Sequence, residues 1–138
     1  MCYIVDINVW GGKHMARVNQ GIYKQYKEQK DQIISSWDEI KGKYWGNIEF
    51  SGDYSELFDF MYDVNWLYES AKSIVIKYSN LLESQKFENE ENIKKYRDYI
   101  RQLQNCMSDM KAYASETRKK IGNDLTEQEA HTLENFQI

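Results

Sequence analysis

Apolar side chains recur at spacings of three and four residues along three long segments of the chain. This spacing is typical of amphipathic α-helices, which turn one face toward a core. The segments run from about Met15 to Tyr44, from Asp53 to about Lys86, and from about Ile93 to Ile121. The third keeps its repeat for about four heptads, which predicts near-parallel helix packing of the coiled-coil type.

Capping patterns mark two of the helix starts. Asp53 stands three residues before Glu56, and Thr126 stands three before Glu129. In this arrangement each side chain accepts a hydrogen bond from the other residue's backbone amide. The second pair predicts a short helix that ends near Phe136. The chain is therefore predicted to be mainly α, a bundle of three long antiparallel helices and one short C-terminal helix.

The same spacing predicts which side chains form the core. The stripe of the second helix comprises Leu57, Met61, Val64, Tyr68, Ala71, Ile74, Tyr78 and Leu81. The heptad stripe of the third helix comprises Ile93, Tyr96, Ile100, Leu103, Met107, Met110, Ala114, Thr117 and Ile121. A homo-oligomer through this 93–121 heptad stripe is the alternative, because such a seam can serve a neighbouring chain as well as a neighbouring helix.

The N-terminal residues differ from the rest. Residues 3–10 alternate loosely between apolar and polar and end at Gly11-Gly12, which predicts a short β-strand. A lone strand needs a partner, so we expect a small two-stranded element with residues 47–50. The run around Gly12 also resembles a cloning junction, so the alternative is that residues 1–14 derive from a vector. At 138 residues the chain fits one helical domain, 1–138.

No arrangement of residues indicates catalysis, a metal or a cofactor. The sequence has no glycine-rich phosphate loop or paired metal-ligand motif, and His14 and His131 are interpreted as isolated surface residues. Cys2 and Cys106 lack metal-type spacing, which favours a reducing cytosolic setting. Cys2 as an N-terminal nucleophile is the one enzyme alternative, and the shortage of strands argues against it. No apolar run approaches the ~20 residues that span a bilayer, so no membrane partner is expected.

Aromatic and acidic residues are concentrated between residues 44 and 70. This stretch holds nine of the chain's twenty aromatic residues, six acidic residues and no lysine or arginine. The whole chain carries a net charge of −4, so the remainder is weakly basic at +2. This distribution argues against direct nucleic-acid binding over a broad face, which needs basic residues for the phosphates.

At about 100° of rotation per helical residue, part of this stretch forms a second aromatic line on the second helix, turned roughly 100–140° away from the core stripe. The line has i, i+4 spacing and consists of Phe58, Tyr62 and Trp66. The acidic residues that flank it are Asp59, Asp63 and Glu69. Two interpretations are open: the N-terminal strand, residues 47–50 or the last helix covers the line, or the line is a protein-binding face.

An exposed face of this kind predicts a non-enzymatic binder, because aromatic side chains anchor interfaces and the surrounding acids steer a basic partner. We expect a stoichiometric inhibitor that occupies a basic, nucleic-acid-binding groove on another protein, by analogy with phage anti-defence, anti-CRISPR, antitoxin and immunity proteins. If the chain is phage-encoded, the expected location is the cytoplasm of a bacterial host. The expected partner-binding residues are Glu49, Asp53, Phe58, Asp59, Tyr62, Asp63, Trp66 and Glu69.

The turn between the first two helices supports an alternative. It reads Tyr44-Trp45-Gly46, and a helical hairpin with such a turn resembles the small WXG-motif proteins of type VII secretion. The resemblance implies a hairpin partner or assembly component of such a secretion system. The chain departs from that family in lacking the Trp-x-Gly spacing and a tyrosine-x-x-x-acid export signal near its C terminus, and in its greater length.

Overall fold

The computed structural model describes the backbone of residues 12–47, 49–84 and 90–138, and the side chains of 24–47, 49–83, 91 and 93–138. Most of this part of the chain is helical. The helices are α1 (Gly12–Tyr44), α2 (Tyr54–Ser84), α3 (Glu90–Ile121) and α4 (Glu127–Asn135). Each of α1, α2 and α3 packs against the other two, so the predicted helical bundle is confirmed.

Contacts of tyrosine residues show the relative directions of the long helices. Tyr26 of α1 stacks on Tyr78 near the end of α2, with ring centroids 4.0 Å apart. At the other end of α1, the Tyr44 hydroxyl donates a hydrogen bond of 2.9 Å to Asp63. Tyr78 also meets Tyr96, near the start of α3, at 6.3 Å. The chain therefore reverses direction between α1 and α2 and again between α2 and α3.

The buried face of α2 is wider than its predicted stripe. Phe60 and Leu67 are 0% and 1% exposed, although neither belongs to the stripe. Phe60 packs between Trp37 of α1 and the aromatic pair at the end of that helix, Tyr44 and Trp45. Because α1 and α3 both pack on α2, this helix buries two adjacent stripes, one toward each neighbour.

The heptad stripe of α3 is used within the chain. Most of its side chains are buried in the bundle core, and Ile93 and Met107 are partly buried. The hydroxyl of buried Thr117 donates to the Tyr113 carbonyl oxygen at 2.7 Å, so this one polar member of the stripe is satisfied locally. A homo-oligomer built on the same stripe would therefore require these side chains to leave the core.

Residues 12–14 belong to α1, and the strand predicted at 3–10 lies outside the described residues. In its predicted partner segment, Asn47 lies in a turn, Glu49 in a bend and Phe50 in irregular backbone, so no strand is found among the described residues there. Phe50 instead packs its ring against Tyr44, with centroids 6.3 Å apart. The end of the 47–50 segment therefore packs against the last turn of α1.

Candidate protein-binding surface

The short helix α4 returns along α2 after a sharp reversal of the chain. Gly122 ends α3 with φ +75°, a left-handed conformation that glycine adopts without strain. The predicted capping box then starts α4: Thr126 Oγ1 accepts from the Glu129 amide at 3.1 Å, and Glu129 Oε1 accepts from the Thr126 amide at 3.0 Å. These local bonds fix where α4 begins, and its tertiary contacts fix where it lies.

The C-terminal end of α4 is held between α2 and α3. Asn65 Oδ1 accepts hydrogen bonds from the backbone amides of Gln137 and Ile138, at 2.8 and 3.1 Å. From α3, the Arg118 guanidinium donates to the carbonyl oxygen of Ile138 at 2.9 Å. Phe136 is only 8% exposed. The chain end thus closes over one side of α2.

Asn65→Ala is expected to loosen this docking. The substitution removes the acceptor of two backbone amides, each bond contributing about 0.5–1.5 kcal/mol. Hydrogen exchange followed by mass spectrometry should become faster in residues 127–138 while α1 and α3 keep their protection. Asn80→Ala, at an exposed position on the same helix, is the matched control. Unchanged exchange in residues 127–138 of Asn65→Ala would show that these two bonds do not hold α4.

Docking of α4 covers part of the second aromatic line. Phe58 is partly buried, and the ring of Tyr62 meets Phe136 edge-on with centroids 4.9 Å apart. Tyr62 nevertheless remains 54% exposed, and Trp66 is 69% exposed. The last helix therefore covers the start of the line and leaves its end open.

Sequence reasoning missed one aromatic member of this surface. Tyr54 is 45% exposed and contacts Phe58, with ring centroids 5.6 Å apart. It stands one helical turn before Phe58, so the i, i+4 spacing that defined the line already contained it. Three of the four large apolar side chains that are exposed in the described residues thus lie on the first half of α2: Tyr54, Tyr62 and Trp66.

Two of the predicted acidic contacts have structural roles. Asp53 Oδ1 accepts from the Ser55 hydroxyl at 2.8 Å and from the Glu56 amide at 3.0 Å, and these bonds lower the pKa of Asp53. Asp63 accepts the hydrogen bond from Tyr44 described above. These bonds hold the start of α2 and its contact with α1.

The other predicted acids occupy different settings. Asp59 is exposed on α2, and Glu49 is exposed in the turn that precedes this helix. Glu69 is partly buried, and its Oε1 atom is enclosed without a hydrogen-bond partner among the described residues. Asp59 and Glu49 are therefore the predicted acids that are exposed and have no structural role described above.

Sequence reasoning also missed the acidic character of the C-terminal segment. Residues 122–138 contain four acidic residues and no lysine or arginine, which a charge count along the chain would have found. Partial burial, followed by the charges of Glu129 and Asp124, raises the pKa of Tyr54. These two acids therefore lie near the start of α2. We define the acidic–aromatic surface as Tyr54, Asp59, Tyr62, Trp66, Asp124, Glu127, Glu129 and Glu134.

The acidic residues of segments 44–70 and 122–138 have no close ion pair, whereas several acids elsewhere in the described residues do. The salt bridges of the described residues use acids outside residues 44–70 and 122–138, namely Asp31, Asp38, Asp98, Asp109 and Glu116. Within the described side chains, none of the ten acids in those two segments has a lysine or arginine nitrogen within 4.0 Å. The negative charge of the surface is thus left uncompensated by close pairs.

The described residues also show the settings of the cysteine, the histidine and the potential metal ligands. Cys106 is 9% exposed in the core, and burial raises the pKa of its thiol to about 11, which disfavours the reactive thiolate. No group of three or more potential metal ligands occurs in the described part of the chain. His131 is exposed on α4, whereas Cys2 lies outside the described residues.

The fold and surface define a small helical bundle with one acidic, aromatic side. The chain matches no protein-family model, no curated protein and no solved structure. No helix in the described segments is both long and apolar enough to cross a bilayer. In the α1–α2 hairpin, Trp45 is buried and α3 packs against both helices, so the third helix covers the face that a simple two-helix hairpin would leave open.

Proposed function

We propose that this chain is a non-enzymatic protein-binding module, a stoichiometric inhibitor that occupies a basic, nucleic-acid-binding groove on a partner protein. The acidic–aromatic surface makes the contact. The observation that carries the proposal is the meeting of two base-free segments, 44–70 and 122–138, which together hold ten acidic residues. They lie side by side through the contact of Tyr62 with Phe136 and the hydrogen bonds of Asn65.

The acidic residues of this surface guide the approach of a partner, and its aromatic residues anchor the partner once it is bound. Because these carboxylates have no close ion pair, no lysine or arginine of the chain has to be displaced before they meet a cationic partner, and they steer its approach over long distances. Exposed Tyr62 and Trp66 supply the large apolar area that anchors an interface. A groove that binds phosphates is a matching target, because it presents lysine and arginine at spacings suited to a row of negative charges.

Affinity capture from the native host followed by competition tests this proposal. We expect a basic partner that duplex DNA or RNA displaces and that is released as salt rises toward about 1 M, where the screening length is about 3 Å. The chain without its partner is expected not to bind the same nucleic acid. A partner that stays bound in saturating nucleic acid and high salt would contradict the proposal.

A further inference from the structure

A small groove opens between α2 and α4 within the acidic–aromatic surface. Its volume is about 220 Å³, below the roughly 300–1,000 Å³ of sites for small organic ligands. The groove is lined by Phe58, Tyr62, Thr126, Gln128, Glu129 and Thr132. It is therefore of a size to receive one side chain of a partner, and it is too small for a helix.

The lining combines aromatic walls with polar side chains and a single charge. Phe58 and Tyr62 come from α2, one turn apart, and neutral hydroxyl and amide groups line the α4 side. Glu129 is the one ionisable carboxylate of the lining, and its bond to the Thr126 amide holds it in a fixed position. No lysine or arginine lines the groove.

The surroundings add negative charge to this groove. Asp124 lies in the loop before α4, and its charge reaches Tyr54, which contacts Phe58. Asp59 follows Phe58 on α2 and is exposed. A cation that enters the groove thus meets two aromatic side chains and a carboxylate held by the Thr126 amide, in a region where the nearby acids have no close ion pair.

We propose that this groove receives an arginine side chain of the partner. This inference rests on the proposed function and specifies which side chain of the partner the surface recognises. The planar guanidinium stacks on the rings of Phe58 and Tyr62 and donates to Glu129 and the polar groups beside it. Arginine fits better than lysine because its flat, delocalised cation stacks on aromatic faces and carries five donors in a fixed fork.

The test uses the full chain, isotopically labelled, and amides of arginine, lysine and citrulline acetylated at their α-nitrogen. Citrulline keeps the shape of arginine without the charge. In NMR titrations, the arginine probe is expected to give saturable shifts at the backbone amides of Phe58, Gln128 and Thr132. The lysine probe should bind more weakly, and the citrulline probe should not bind. Shifts that are equal for arginine and lysine, or spread over all exposed acids, would overturn the inference.

Two substitutions locate the binding. Glu129→Gln removes the charge but keeps a side chain that can complete the capping box, and Phe58→Leu removes the ring but keeps apolar bulk. Each is expected to weaken arginine binding about tenfold, the loss of one charge-assisted or cation–π contact. Glu39→Gln makes the same change of charge at an exposed position of α1, outside the groove lining, and should change the affinity less than twofold.

The outcome for the partner separates this inference from the proposed function. A partner that nucleic acid displaces, but whose affinity is unchanged by Glu129→Gln and Phe58→Leu, would retain the proposed function and overturn the arginine site. If the partner is not displaced by nucleic acid, the proposed function fails, whatever the titrations with the arginine probe give.

Discussion

Replacing Asp59 and Glu134 together by lysine is expected to weaken partner binding by on the order of 100-fold, because like charges brought together at an interface cost several kcal/mol. Both side chains are exposed on the acidic–aromatic surface and take part in none of its hydrogen bonds or ion pairs. Glu134 lies in the last turn of α4, where lysine suits the helix dipole. Helical content by circular dichroism should therefore stay unchanged.

A control with the same change in net charge is available on α1. Glu28 and Glu39 are exposed there, and Glu28→Lys with Glu39→Lys should leave the partner affinity within about threefold of the original, because distant exposed charges are screened. Isothermal titration at two salt concentrations compares the variants. Equal losses in both would mean that net charge decides binding, and no loss in either would mean that the partner contacts another face.

Phe60→Ala is expected to lower the free energy of unfolding by about 3–5 kcal/mol, the usual cost of removing a buried aromatic side chain. Phe60 is fully buried, with ring contacts to Trp37, Tyr44 and Trp45. The substitution therefore leaves a cavity where α1, its following turn and α2 meet. Urea denaturation followed by circular dichroism measures the change.

Phe58→Ala is the matched control for this measurement, because it removes the same ring from a partly buried position two residues away. We expect a smaller loss than for Phe60→Ala, below about 2–3 kcal/mol, because Phe58 is only partly buried at the edge of the core. Equal losses for the two variants would contradict the placement of Phe60 inside the core and Phe58 at its edge.

The sequence predicted the helices because the local pattern and the tertiary packing agree. The repeat over Ile93 to Ile121 matches a helix buried along one stripe, and the Thr126–Glu129 pair forms the predicted capping box. Such features depend on neighbours within a few residues, which a single sequence contains. The approximate first and last residues of the helices were predictable for the same reason.

The width of the α2 core was not predictable in this way. Phe60 and Leu67 lie beside the predicted stripe and become buried only because α1 and α3 approach α2 from different directions. The role of Asp63 likewise depends on Tyr44, nineteen positions earlier in the chain. Helical spacing shows on which face of its own helix a residue lies. It does not show which neighbouring helix packs against that face.

The candidate surface was predicted in part. Asp59, Tyr62 and Trp66 are exposed on α2, whereas Phe58 is partly covered, so each of the two interpretations that the sequence left open holds for part of the second aromatic line. The contribution of α4 depends on Asn65 meeting the backbone of Gln137 and Ile138, a contact between distant parts of the sequence. Charge counts could reveal two acidic segments but not that they fold side by side.

Hydrogen exchange of the chain with and without its captured partner tests the proposed surface most directly. We expect the partner to slow exchange in the first half of α2, around residues 54–66, and in residues 124–136, and to leave the exposed faces of α1 and α3 unchanged. Protection confined to α1 or α3, with these two segments exchanging as in the free chain, would contradict the proposal that the acidic–aromatic surface binds the partner.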